Sequence, residues 1–169
     1  ENDLNAGRLT TDEAREILAH FFIKGCEWVD GKPTVSGDAQ HYQNIVLSGT
    51  DKNGKDVTND VTMLVLEIIE ETGISDFPTT VRINKNTDEK FLRRVSEVIR
   101  FGGGIVAVYN EDLILESLEE MGYPKSEAAK FANDGCWEVQ IPGKTNFSYI
   151  SIDSLKLLHD ITLNGYDST

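Results

Sequence analysis

The chain has 169 residues, 39% apolar and 27% charged, with 16 basic against 29 acidic residues and a formal charge of −13 at pH 7. That composition supports one domain with a real core and excludes a disordered or fibrous chain. The negative charge repels nucleic acid and anionic membrane surfaces. No apolar run reaches the roughly 20 residues of a membrane span, and no basic stretch followed by an apolar block opens the chain. A cytoplasmic protein is expected, with neither nucleic acid nor membrane as partner.

Glu1 to Arg8 carry no signal. Thr10 and Glu13 form a capping box, and Ala14, Ile17, Leu18, Phe21 and Phe22 follow at helical spacing until Gly31-Lys32-Pro33 breaks the pattern. Cys26, near the end of this helix, has no acid/base neighbour and is expected to pack. Ile45-Val46-Leu47 reads as a buried strand closed by Ser48-Gly49, and Asp51 to Asp56 as a polar turn. Thr58 or Asn59 caps the next helix, whose inner face is Val61, Leu64, Val65, Ile68 and Ile69, and Gly73 stops it.

Val81-Arg82-Ile83 is a second strand. Thr87 caps a helix carrying Leu92, Val95, Val98 and Ile99, and Gly102-Gly103-Gly104 stops it before a third strand, Ile105 to Val108. Asn110 caps a helix over Glu111 to Met121, with Ile114, Leu115 and Leu118 inward. A short helix from Pro124 to Ala132 and a final one from about Ser151 to Leu163, with Leu155, Leu158 and Ile161, complete the chain. Strands alternating with helices predict an α/β fold with a parallel sheet, in one domain without repeats.

The chemistry concentrates in Asn133-Asp134-Gly135-Cys136-Trp137-Glu138, followed by Pro142-Gly143-Lys144-Thr145. In an extended segment residues i and i+2 project to the same side, so the Cys136 thiol and the Glu138 carboxylate can face one substrate. Taken alone, a cysteine mostly packs. Competing signals fail. Gly143-Lys144-Thr145 lacks the glycine that a phosphate loop needs at position 138, and the triple glycine precedes a strand instead of following one. His20, His41 and His159 show no metal-ligand spacing. Cys26 and Cys136 make no disulfide framework, and no Gly-x-Ser-x-Gly elbow supports a serine triad. The Asn146-Phe147-Ser148 sequon matters only in a secreted protein. Acidic runs at Glu67, Glu70, Glu71 and at Glu116, Glu119, Glu120 are solvated helix faces.

Three blocks in order resemble the glycyl radical enzyme family, the group containing pyruvate formate-lyase and the radical diol dehydratases. They are Gln43 to Gly49 with Asp51, Gly54, Asp56, Thr58, Asn59 and Leu64; Pro78 to Ile83 with Ile99 to Gly104 and Tyr109 to Asp112; and Asn133 to Glu138 with Pro142 to Thr145. They extend over roughly residues 10 to 165. The resemblance implies a much longer parent, whose barrel closes from two five-stranded parallel half-sheets around a cysteine loop. Residues 1–169 would be a single partial domain, about one half of that ten-stranded barrel, with the loop near 133–146. The radical-bearing glycine of such enzymes sits in a C-terminal Arg-Val-Ser-Gly-Tyr-like motif. Gly165-Tyr166 lacks the preceding Arg-Val-Ser, so the glycyl radical domain is expected to be absent here.

By the same resemblance Cys136 carries the thiyl radical and Glu138 is the base, with no metal and no cofactor bound in this chain. The parent would need a glycyl radical installed by an S-adenosylmethionine iron–sulfur activase. The implied reaction is C–O, C–N or C–S cleavage of a small hydroxylated substrate. Trp137 replaces the second cysteine of pyruvate formate-lyase and disfavours acyl transfer; it also departs from the small aliphatic residue often found there in the eliminases. A radical decarboxylase, a formate acetyltransferase-like enzyme and a stand-alone α/β binding domain are the alternatives.

Asn59 and Arg82 are expected to be structural, as a cap and a strand-edge charge. Asp134 and Thr145 lie near the pocket or serve turns and caps, and Gly135 lets the backbone enter a crowded centre. The 169 residues alone are expected to be inactive. A half-barrel exposes sheet edges, so a homo-oligomer that repairs it, or partial disorder around 133–150, is expected as well.

Overall fold

Local cap chemistry sets most of the element boundaries. The computed structural model describes residues 1–26, 44–73, 78–102, 106–134, 138–145, 152–159 and 161; the placement of Cys136, the 146–150 stretch and the side chain of Cys26, with its expected packing, lie outside what is described. After a single turn, α1 (Asn2–Asn5), the capping box opens α2 (Thr11–Cys26): the Thr10 N–H donates to Glu13 Oε2 at 2.8 Å, and the Glu13 N–H to Thr10 Oγ1 at 3.2 Å. β1 (Ile45–Ser48) leads through a turn in which Asp51 Oδ1 accepts from the N–H groups of Asn53 and Lys55. Asn59, the second of the two candidates, caps α3 (Asp60–Thr72), its Oδ1 accepting from Val61 and Thr62; Gly73 ends the helix at φ 59°.

β2 (Thr79–Ile83) is followed by α4 (Glu89–Phe101). Its cap is Asp88, not Thr87. The Thr87 hydroxyl accepts the Asn84 N–H at 2.8 Å in the preceding turn, which leaves Asp88 to accept from Lys90 and Phe91. Its negative charge also suits the positive end of the helix. Then come β3 (Val106–Asn110) and α5 (Glu111–Glu120), capped by Asn110 as expected.

The helix expected from Pro124 to Ala132 is only one turn, α6 (Lys125–Ala128). It stops because β4 (Ala132–Asn133) pairs antiparallel with β5 (Val139–Gln140). α7 (Ser154–Leu158) begins near the expected start, the rest of the helix expected to Leu163 lies largely outside the described residues, and Leu155, Leu158 and Ile161 are exposed.

The three strands form one parallel sheet in the order β1-β2-β3, with Val81 opposite both Leu47 and Val108. The alternation holds, with three parallel strands among the described residues where a complete half-barrel has five. Successive side chains alternate faces. One face presents Ile45, Leu47, Val81, Ile83 and Val106 to Phe22 of α2, to Leu64, Val65 and Ile68 of α3, and to Phe91, Val95 and Val98 of α4. The other face carries the polar Ser48, Thr80, Arg82 and Tyr109 beside Val46 and Ala107. Parallel sheets usually have apolar strands on both faces, so a polar second face marks a site.

Arg82 is therefore not a strand-edge charge. It lies in the central strand with a side chain 8% exposed, paired with the Glu111 carboxylate, which is 0% exposed. Parallel crossovers bury both faces of a central strand, so a charge there needs a buried partner. Gly49 makes room for it: at φ 92°, a Cβ would stand 2.7 Å from Arg82 Nε. Gly49→Ala combines positive-φ strain with that clash and should cost about 2–4 kcal/mol. Gly54→Ala, at φ 78° with nothing within 4 Å, should cost only about 1–2 kcal/mol. Urea midpoints of the two variants check this; equal losses would remove the clash with Arg82 as the cause.

Candidate functional site

The segment 129–134 crosses the second face of the sheet against the strand direction. At the carboxyl end of β2, Arg82 Nη1 donates to the Phe131 carbonyl at 3.1 Å and Nη2 to the Ala129 carbonyl at 3.2 Å, while the guanidinium carbon lies 3.9 Å from the Phe131 ring centroid. Near the amino end, Asn44 Nδ2 donates to the Asp134 carbonyl at 3.0 Å, and the Thr80 hydroxyl donates to Asn44 Oδ1 at 3.1 Å. The chain leading to Cys136 is thus tied to β1 and β2 at both ends of its crossing.

Cys136 itself lies outside the described residues, but the residues that bracket it do not. The Asp134 N–H donates to the Glu138 carbonyl at 2.9 Å, and β5 follows at once. Glu138 Oε2 is buried with no hydrogen-bond partner among the described residues. A buried acceptor left unmade is costly, and such an exception calls for a reason. Tyr109, beside Arg82 in the β2–β3 register, shares this corner. Burial first, then the charge of Glu138, push its phenol above its ordinary pKa, and a hydrogen bond with Asn133 opposes them. The site therefore gathers Glu138, Tyr109 and Asn133 at the root of the Cys136 segment.

Asp134 contributes its backbone to this root. Thr145 serves a turn: its hydroxyl accepts the Ile141 N–H at 2.9 Å and donates to the Ile141 carbonyl at 3.0 Å. Leu118, Ala128, Phe131 and Ile141 form a small apolar cluster that seats α5, α6 and the loop base together.

Sequence reading missed Glu111, Tyr109 and Asn44. Glu111 accepts from Arg82, from the Thr50 N–H and hydroxyl at 2.9 Å each, and from Asn84 at 2.8 Å. Burial pushes its carboxyl up, but Asn84, Thr50 and the Arg82 charge outweigh this and hold it below its ordinary value. The available signal was a charge inside a buried strand, with an acid at the start of the helix after the next strand. Among the described residues no group of three or more His, Cys, Asp or Glu could hold a metal, and no helix is long and apolar enough to cross a membrane.

Known proteins are similar to this chain in sequence and fold. The trans-4-hydroxy-L-proline dehydratase of Clostridioides difficile is 30% identical over 179 residues, covering 99% of this chain and 22% of the relative. The glycerol-bound form of the B12-independent glycerol dehydratase from Clostridium butyricum matches with a TM-score of 0.73 at 32% identity, over 82% of this chain and 18% of that one. A glycyl radical enzyme from Archaeoglobus fulgidus matches with a TM-score of 0.69 at 27% identity, over 84% of this chain and 19% of that one. The chain thus spans about a fifth of the length of these proteins. Residues 1–169 match the pyruvate formate lyase-like family throughout, and the chain belongs to that family.

Proposed function

We propose that this chain is the cysteine-bearing segment of a radical lyase of the dehydratase type, with Cys136 as hydrogen-atom relay and Glu138 as base. The observation that carries the reading is the buried Glu138 oxygen at the root of the Cys136 segment, which has no hydrogen-bond partner among the described residues. The likeness to a hydroxyproline dehydratase and a glycerol dehydratase supports it. Exposed apolar side chains such as Phe101, Met121 and Leu155 favour a segment covered by the rest of a longer protein over a free-standing binding domain. A cytoplasmic enzyme with a small-molecule substrate and an S-adenosylmethionine iron–sulfur activase fits this reading.

A glycyl radical elsewhere in the full-length enzyme supplies the unpaired electron. With the Cys136 hydrogen atom passed to that glycine, the sulfur would take one from the substrate carbon that bears a hydroxyl. Glu138 accepts that hydroxyl's proton, which makes the substrate radical electron-rich. The neighbouring C–O bond breaks with its electron pair on oxygen, and Glu138 returns the proton to give water. The product radical recovers a hydrogen atom from Cys136, which leaves the sulfur as the thiyl radical, ready for another substrate, and the carboxylate as it began. A base in this role needs a pKa matched to both transfers.

The full-length enzyme, activated anaerobically, is expected to consume one of the diols, hydroxyproline, choline or isethionate and to release water, amine or sulfite. Product analysis by mass spectrometry checks this. Conversion of arylacetates alone, or acyl transfer from pyruvate alone, would replace the eliminase reading.

A further inference from the structure

β4 and β5 pair over only two residues each, and a ladder that short does not hold its own position in water. Its position comes from the sheet beneath. Arg82 binds the carbonyls of Ala129 and Phe131, the last residues before β4, and lies against the Phe131 ring. Glu111 orients the guanidinium and is itself held by Thr50 and Asn84, in the loops after β1 and β2. Stability alone does not require such a pair, because an apolar replacement of similar volume is often as stable. What an apolar side chain or an ammonium cannot supply is a rigid planar fork that addresses two carbonyls and a carboxylate together.

We infer that Arg82 is a positioning residue: through Ala129 and Phe131 it fixes where the β4–β5 pair sits on the sheet, and so where Glu138 and Asn133 stand relative to Tyr109. The catalytic half of this inference rests on Glu138 being the base; the structural half does not.

The test compares Arg82→Lys and the double variant Arg82→Met/Glu111→Gln with wild type in the full-length enzyme. Three readouts are taken: urea midpoint, amide exchange at Asp134, and kcat with KM. In either variant that folds cooperatively, Asp134 exchange should quicken by on the order of ten-fold or more while α3 and β2 amides keep their protection. With the loop base displaced, kcat should fall about 100-fold and KM stay within a few-fold. The double variant leaves no unpaired buried charge, so it should regain the stability that Arg82→Lys loses without regaining kcat. Recovery of kcat and Asp134 protection together with stability would overturn the inference and leave Arg82 as a fold element only. If wild type turns over no substrate, the proposed function fails, and Asp134 exchange still decides the positioning.

Discussion

Cys136→Ser in the activated full-length enzyme is expected to abolish turnover while the stored radical persists. An O–H bond is far stronger than an S–H bond, so serine cannot hand its hydrogen atom to a carbon radical without a steep uphill step. Glu138→Gln should keep the shape of the side chain but remove its ability to accept a proton, lowering kcat by roughly 100- to 10,000-fold. Little stability should be lost, because Oε2 makes no hydrogen bond among the described residues. Anaerobic rates read beside the electron paramagnetic resonance signal separate the two roles. Turnover within ten-fold of wild type in Cys136→Ser would remove the thiyl step, and the same result in Glu138→Gln would leave Glu138 structural.

Glu111→Ala is the largest expected loss of stability. It strips a guanidinium only 8% exposed of its counter-charge and frees the donors of Thr50 and Asn84. Breaking one partner of a buried pair costs about 3–5 kcal/mol, a large share of the roughly 5–15 kcal/mol that holds a domain folded. The same carboxyl bears on acid stability. Its folded pKa lies below its ordinary value of 4.5, so the unfolded chain binds the proton first as pH falls. Its contribution is complete above about pH 4.5 and is lost as pH falls through the lower folded value. Urea midpoints should therefore drop less between pH 5 and pH 3 in Glu111→Gln than in wild type. An identical acid limb in the two proteins would mean that Glu111 is not held ionised by its partners.

Elements started or stopped by local chemistry were legible from sequence. The Thr10–Glu13 box, the Asn59 and Asn110 caps and the left-handed Gly73 each act within a few residues of themselves. Long-range contacts decided what was not legible. Thr87 and Asp88 are both good caps, and only the engagement of Thr87 with Asn84 selects Asp88. The stretch after Pro124 has helical composition, yet Ala132 and Asn133 are drawn into pairing with Gln140 and Val139. Arg82 reads as an edge charge because its partner is 29 residues away. For the site, the motif blocks made Cys136 and Glu138 legible as candidates, of which only Glu138 lies among the described residues. Tyr109 and Asn133 were not, because only the fold of β3 and β4 brings them to Glu138.

The most direct measurement follows the hydrogen that Cys136 is proposed to carry. The full-length enzyme would turn over its substrate labelled with deuterium on the carbon bearing the hydroxyl, with the product read by mass spectrometry and NMR. Loss of the label from that carbon, with a primary isotope effect on kcat/KM, is the predicted result. Departure of the leaving group with the label still in place and no isotope effect would show that no sulfur-borne hydrogen transfer takes place, and would contradict the account at its centre.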